Sequence, residues 1–188
     1  MSIRRVRIVL LCEDSQQEAF TRRFLKEMGW NTRELRVEKS PSAAGSAEQW
    51  VRERFPAELR GYRQRKHRAA SALIAMIDAD LRDVQDRIRD FEETCNSLHL
   101  PFRTDDEAVA IAIPKRNIET WIRHLNGEEV DERNIYPKLG RERECNRAAL
   151  NLVRLCKMTG LRDNAPPAMV HACGEYNTRI RPLVNQER

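Results

Sequence analysis

Apolar residues fall along this chain in two rhythms. In three short stretches they are nearly continuous: residues 6–12, 72–77 and 108–113. The first stretch ends at Glu13-Asp14, the second at Asp78 and the third at Pro114. Such runs fit strands buried on both faces, as in a parallel sheet covered by helices. Residues 34–38 alternate apolar and charged positions and predict an edge strand.

Elsewhere the apolar positions recur at steps of three and four, the helical rhythm. Ser15 is placed to cap a helix carrying Ala19, Phe20, Phe24 and Met28, with Gly29 just past its end. Ser46-Ala-Glu-Gln49 has capping-box spacing and opens a helix through Trp50, Val51 and Phe55. Pro56 kinks or restarts it, and Leu59 and Tyr62 continue the face. Leu81, Val84, Ile88, Phe91, Cys95 and Leu98 form the clearest stripe. Ile118, Trp121, Ile122 and Leu125 mark a shorter helix capped by Asn117. Ala149, Leu152, Val153 and Cys156 mark another, closed by Lys157 and Gly160. Residues 166–188 carry no assignable pattern.

Strands alternating with helices predict a three-layer α/β domain with a mostly parallel four-stranded sheet. We expect it to span residues 1–130, with residues 131–188 as a helical C-terminal extension packed on it. A chain of 188 residues is long enough for a real core without staples. Its 34 Lys and Arg against 29 Asp and Glu, a net +5, suit a polyanion partner without requiring one. The five cysteines are odd in number and lack a Cys-x-x-Cys pair, which predicts reduced thiols in a cytoplasmic protein. His171, Cys173 and Cys145 match no ordinary zinc spacing. The apolar run Ile8 to Cys12 is too short for a signal core or a membrane span, so no membrane partner is expected.

Candidate chemistry lies where the strands end. In such folds ligands bind beyond the carboxyl ends of the strands, where loops converge and helix N-termini point. Glu13 leaves the first strand there, and Asp78 leaves the third. Asp80, two residues on, shares a face with Asp78 if the chain stays extended through Ala79. If the first and third strands are neighbours, the three carboxylates meet, and Mg²⁺ (or Mn²⁺) is the natural counter-ion for them. A metal so held suits phosphate chemistry. The competing reading makes Asp78 or Asp80 a cap for the helix that follows.

Glu119 sits in the first turn after the last strand, either as a further metal ligand or as the i,i+4 partner of Arg123. Lys115 and Arg116 emerge beside it and suit a phosphate clamp, or an ordinary solvated turn. Arg63, Arg65, Lys66 and Arg68 form the densest basic run, a stripe for a nucleic-acid backbone or a charged helix end. The loop of residues 40–46 leads into a helix N-terminus but lacks the pattern of an NTP-binding loop.

The segments Leu-Leu-Cys-Glu13 and Ile-Asp78-Ala-Asp80 together resemble the topoisomerase–primase (TOPRIM) domain, with its Glu after the first strand and Asp-x-Asp after a later one. The opening Cys-Glu13-Asp-Ser-Gln-Gln-Glu18 is similar to that of the overcoming-lysogenization-defect nucleases. This chain has Asp14 where those proteins usually have Gly, and Gln17 where they often carry an acid. Ile113-Pro114-Lys-Arg-Asn117-Ile-Glu119-Thr-Trp121 resembles an element of small TOPRIM-like proteins of bacterial defence loci. The resemblance implies Mg²⁺-dependent cleavage or transfer at DNA or RNA phosphodiesters in antiphage defence. Glu13 would then be base or second ligand, Asp78 and Asp80 the metal holders, and an ATPase encoded nearby the partner. A homo-oligomer is compatible with it. The alternative is a catalytically silent module that kept the fold and partners the ATPase. A receiver-like phosphoacceptor fits less, since about sixty residues separate the acidic strand ends and no fifth strand with a terminal Lys is evident.

Overall fold

The computed structural model describes residues 6–41, 46–157 and 165–186. Four strands, β1 (Arg7–Cys12), β2 (Arg36–Lys39), β3 (Ser71–Met76) and β4 (Val109–Ala112), form one sheet in the order β2-β1-β3-β4. Every pairing is parallel. The two most apolar runs take the centre: all six residues of β3 and five of six in β1 are buried. Leu10 stands opposite Ile74 on one side and Val37 on the other. The alternating segment takes an edge, as its mixed polarity predicts.

Helices α1 (Ser15–Glu27), α2 (Ala47–Lys66), α3 (Val84–Ser97) and α4 (Ile118–Leu125) follow the strands, and α5 (Asn146–Lys157) and α6 (Pro167–Glu175) form the C-terminal part. Helices α2 and α3 cover one face, with the Phe55 and Phe91 rings 4.7 Å apart. Helices α1, α5 and α6 cover the other, so the domain has three layers with a helical tail. One hydrophobic core runs from β1 to Ile180, including Ala148, Leu152 and Met169 of the tail. After α6 the chain continues through a π-helical turn, Tyr176–Ile180, whose Tyr176 hydroxyl accepts the Trp30 indole N–H at 2.9 Å. Among the described residues no helix is long and apolar enough to cross a membrane.

The tail also finishes the sheet. Strand β4 is an edge strand, which leaves backbone groups in need of partners. The Ile111 N–H donates to Glu175 Oε2 at 2.9 Å, and the Val109 carbonyl accepts from Arg103 Nη1 at 2.6 Å. Arg103 and Glu175 are themselves ion-paired, and both are largely buried. A side-chain pair thus stands where a fifth strand would pair.

Several local expectations change. The cap of α1 is Asp14, not Ser15, because its carboxylate accepts the Gln16 and Gln17 N–H groups at 3.0 and 2.9 Å. Helix α3 starts only at Val84, since Asp83 accepts the Asp86 N–H at 2.8 Å. Leu81 is therefore loop, with 83% of its surface exposed, and does not extend the buried stripe. Neither Asp78 nor Asp80 is the cap. Pro56 neither ends nor restarts α2, which runs unbroken past it. Burial of Phe55 and Leu59 on either side, about 1.5–3 kcal/mol each, offsets the lost backbone bond.

The thiols are not all reduced: Cys156 and Cys173 form a disulfide, because α5 and α6 bring their Cα atoms to 5.3 Å. Cys12, Cys95 and Cys145 are free and buried. Gly160 and residues 42–45 of the Ser-rich loop lie outside the described residues.

Candidate functional site

Because β1 and β3 are parallel neighbours, the residues that leave their carboxyl ends meet. Glu13 Oε1 accepts the backbone N–H of Asp78 at 2.5 Å. Gln17, fully buried in the first turn of α1, ties the two ends together. Its Nε2 donates to Asp78 Oδ1 at 2.9 Å, and its Oε1 accepts the Glu13 N–H at 2.9 Å. Among the described residues neither the Glu13 nor the Asp78 carboxylate makes an ion pair.

Two partly buried carboxylates without a counter-ion are hard to ionise together. Burial pushes the Glu13 carboxyl up to about 7, helped by the charges of Asp80 and Asp14 and opposed by the Asp78 N–H and Gln17. Burial, with the charges of Glu13, Asp14 and Glu119, holds Asp78 well above the usual carboxylate range.

Asp80 goes elsewhere. The ladder continues past β3, with the Ala79 N–H bonded to the Pro114 carbonyl at 2.8 Å. At Asp80 it breaks: φ is +53°, and the residue faces Arg116, at φ +65°, in a single antiparallel bridge. The Asp80 side chain is 62% exposed and accepts from Arg87 Nη2 at 3.1 Å. Extended geometry is what puts residues two apart on one face, and it stops one residue too early.

Glu119 is 2% exposed, and its Oε1 has no hydrogen-bond partner. Burial raises its carboxyl, and so does Asp14. Arg123, its expected i,i+4 partner, bonds Glu128 at 2.6 Å instead. Lys115 Nζ donates to the Arg82 carbonyl at 2.5 Å, and Arg116 Nε is buried without a partner.

Three participants carry no motif. Lys138 reaches Asp14 Oδ2 at 2.9 Å across 124 residues, and that bond raises its ammonium, with Glu119 and Asp78 adding to it. Gln17 is visible at i+4 from Glu13, the spacing of one helical turn, but its bridge to β3 is not. Arg87 reads as an ordinary helix charge, yet its side chain is only 7% exposed.

The basic run lies at the far edge. It forms the C-terminal end of α2, which precedes β3, so it sits where the strands begin rather than where they end. A six-residue strand spans about 20 Å, too far for one phosphate to bridge both places. Arg63 is spent on Glu107 (2.8 and 2.9 Å) and on the Pro101 and Phe102 carbonyls, and Lys66 bonds Glu107 at 3.2 Å. Arg65 Nε is buried without a partner, and Arg68 is exposed. Arg63 and Lys66 are thus occupied as a staple between α2 and the approach to β4.

That staple has a pH signature. Burial pushes Glu107 up, but the Arg63 guanidinium, the Thr104 N–H and Lys66 outweigh it and hold the carboxyl at about 2, against an ordinary 4.5. Its contribution to stability is therefore complete above about pH 4.5 and lost as pH falls toward 2. Glu107→Gln is expected to unfold at lower urea than the parent at pH 7, with the gap closing by about pH 3. A gap independent of pH contradicts this.

Comparison of the chain with protein-family profiles, curated proteins and solved structures finds no match in any of them. What the site can do is therefore set by its donor atoms. Among the described residues no three His, Cys, Asp or Glu side chains are grouped so as to hold a metal ion. Mg²⁺, however, takes one or two carboxylates and keeps its waters. Glu13 and Asp78 offer two adjacent hard-oxygen ligands without a competing cation, and the orphaned Glu119 Oε1 adds an oxygen whose charge Asp78 feels. The donor chemistry fits Mg²⁺ or Mn²⁺.

Proposed function

We propose that this protein is a Mg²⁺- or Mn²⁺-dependent TOPRIM-like nuclease or phosphotransferase acting on DNA or RNA phosphodiesters in the cytoplasm. One observation carries the reading: Glu13 and Asp78, 65 residues apart, are locked together at the carboxyl edge of a parallel sheet with no cation paired to them. Their mutual repulsion has no structural benefit, and a divalent ion resolves it.

When bound, the metal supplies neutralisation of a phosphoryl oxygen and a water of lowered pKa. Asp78 holds it, with its other oxygen oriented by the Gln17 amide. Glu13 Oε2, the oxygen that does not accept the Asp78 N–H, takes a proton from the attacking water. The N-termini of α1 and α4 open toward the same edge and favour an anionic substrate. Lys138, held by Asp14, adds a positive charge there.

The antiphage role and the ATPase partner come from the resemblance in the strand-end motifs. A silent interaction module is the second reading, favoured by Asp80 being paired to Arg87 rather than gathered with the other two. The test is purified protein with Mg²⁺ or Mn²⁺ on single- and double-stranded DNA and RNA, with and without the ATPase. Cleavage that EDTA abolishes is expected. No cleavage under any of these conditions supports the module instead.

A further inference from the structure

We propose that Arg87 is a positioning residue: it parks Asp80 outside the Glu13–Asp78 pair and yields it when a divalent ion arrives. The inference rests on the metal-centre reading above and deepens it, by assigning the third carboxylate a movable role.

Arg87 lies on the first turn of α3 and is buried among carboxylates from three segments. Its Nη1 donates to Glu48 Oε1 at 2.5 Å and to Asp90 Oδ2 at 3.4 Å, while Nη2 donates to Asp80 Oδ2 at 3.1 Å. The three partners are not equivalent. Glu48 and Asp90 are 15% and 8% exposed, whereas Asp80 is 62% exposed. A buried guanidinium must keep an anionic partner. Glu48 and Asp90 satisfy that need by themselves, so Asp80 can leave without stranding a buried charge.

Asp80 also has a reason to leave. Its backbone is held in the left-handed region, which costs a non-glycine residue of order 1 kcal/mol or more. Its bridge partner Arg116 is held the same way, and among the described residues only His99 is a third non-glycine case. Asp80 is moreover close enough to Glu13 for its charge to be felt there. The arrangement has two states of similar free energy: Asp80 on Arg87 when the site is bare, and Asp80 turned toward the pair when a cation makes a third carboxylate favourable. The metal must then displace one exposed ion pair, which is worth little and is readily exchanged.

Mn²⁺ binding to the full chain, followed by the electron-spin signal of the free ion, tests this without reference to catalysis. Asp80→Asn is expected to weaken Mn²⁺ binding about tenfold, the low end of the range for groups supporting a metal. Arg87→Lys keeps the charge but loses the planar fork that holds three carboxylates at once. It is expected to bind Mn²⁺ several-fold more tightly than the parent. The Arg87 side-chain nitrogen resonances of the parent protein should shift on Mg²⁺ addition, a readout that needs no variant. Asp80→Asn binding like the parent overturns the inference while leaving the metal site standing. So does Arg87→Lys binding no more tightly with its fold intact, or an Arg87 signal unmoved at saturating Mg²⁺. A parent protein that binds no Mn²⁺ removes the metal reading itself and this inference with it.

Discussion

Glu13→Gln and Asp78→Asn are each expected to lower metal-dependent cleavage by at least about a hundredfold, since even groups that only support metal ligands cost roughly 10–100-fold. Both replacements keep the size and the hydrogen bonds of the originals. The amide oxygen introduced by Glu13→Gln can still accept the Asp78 N–H, and the one introduced by Asp78→Asn can still accept from Gln17. What they remove is one of two charges held close together without a cation. The same variants should therefore be at least as stable as the parent, and a gain of about 1 kcal/mol raises the melting temperature by about 2–4 °C in a chain of this size. Loss of activity with gain of stability is the pattern of a site kept for chemistry at the expense of the fold. Variants that cleave within about threefold of the parent would remove Glu13 and Asp78 from the mechanism. Variants that lose activity together with stability would make the pair structural.

Glu175→Ala is expected to cost about 3–5 kcal/mol in urea unfolding, the range for removing one member of a buried ion pair. The glutamate accepts from Arg103, from the Ile111 N–H of the β4 edge and from Arg179. Its loss leaves the Arg103 guanidinium, 5% exposed, without its carboxylate and leaves a strand N–H without a partner. Burial lowers the Arg103 guanidinium, and the Glu175 bond works against that shift. Replacing both residues with Met should cost less than Glu175→Ala alone, because no buried charge is then stranded. A cost below about 1 kcal/mol for Glu175→Ala would mean that the tail is not what finishes the sheet.

Much of the fold is legible because strand and helix periods are local properties. The runs at residues 6–12, 72–77 and 108–113 are apolar on both faces, so they read as central or covered strands. The structure places them as β1, β3 and β4, all parallel. The tail is harder to read, because π-helical and tightened turns lack the ordinary period. Leu81 misleads for a local reason as well: a three-four rhythm continues through a residue whether or not a cap downstream has already set the helix start. Asp83 decides that point.

The candidate site is legible in part. Glu13 and Asp78 are visible as acids at the ends of apolar runs, and strand adjacency alone is enough to bring them together. Asp80 is not, since its direction depends on a left-handed backbone opposite Arg116 and on a buried arginine that reads as an ordinary helix charge. Arg63 and Lys66 look like a nucleic-acid stripe because a sequence displays charge without showing what that charge faces. Glu107, 44 residues from Arg63, is what they face.

By itself, then, the sequence determined the element types, the parallel sheet and the acids that leave its strands, because each follows from neighbours a few residues apart. Only the tertiary structure decided which charges are free and which are spent: Asp80 on Arg87, Arg63 on Glu107, Asp14 on Lys138, and Cys156 on Cys173. The physical reason is range. Backbone conformation is set within a turn or a strand, whereas an ion pair or a disulfide is set by how whole elements dock, which is a property of the packed core.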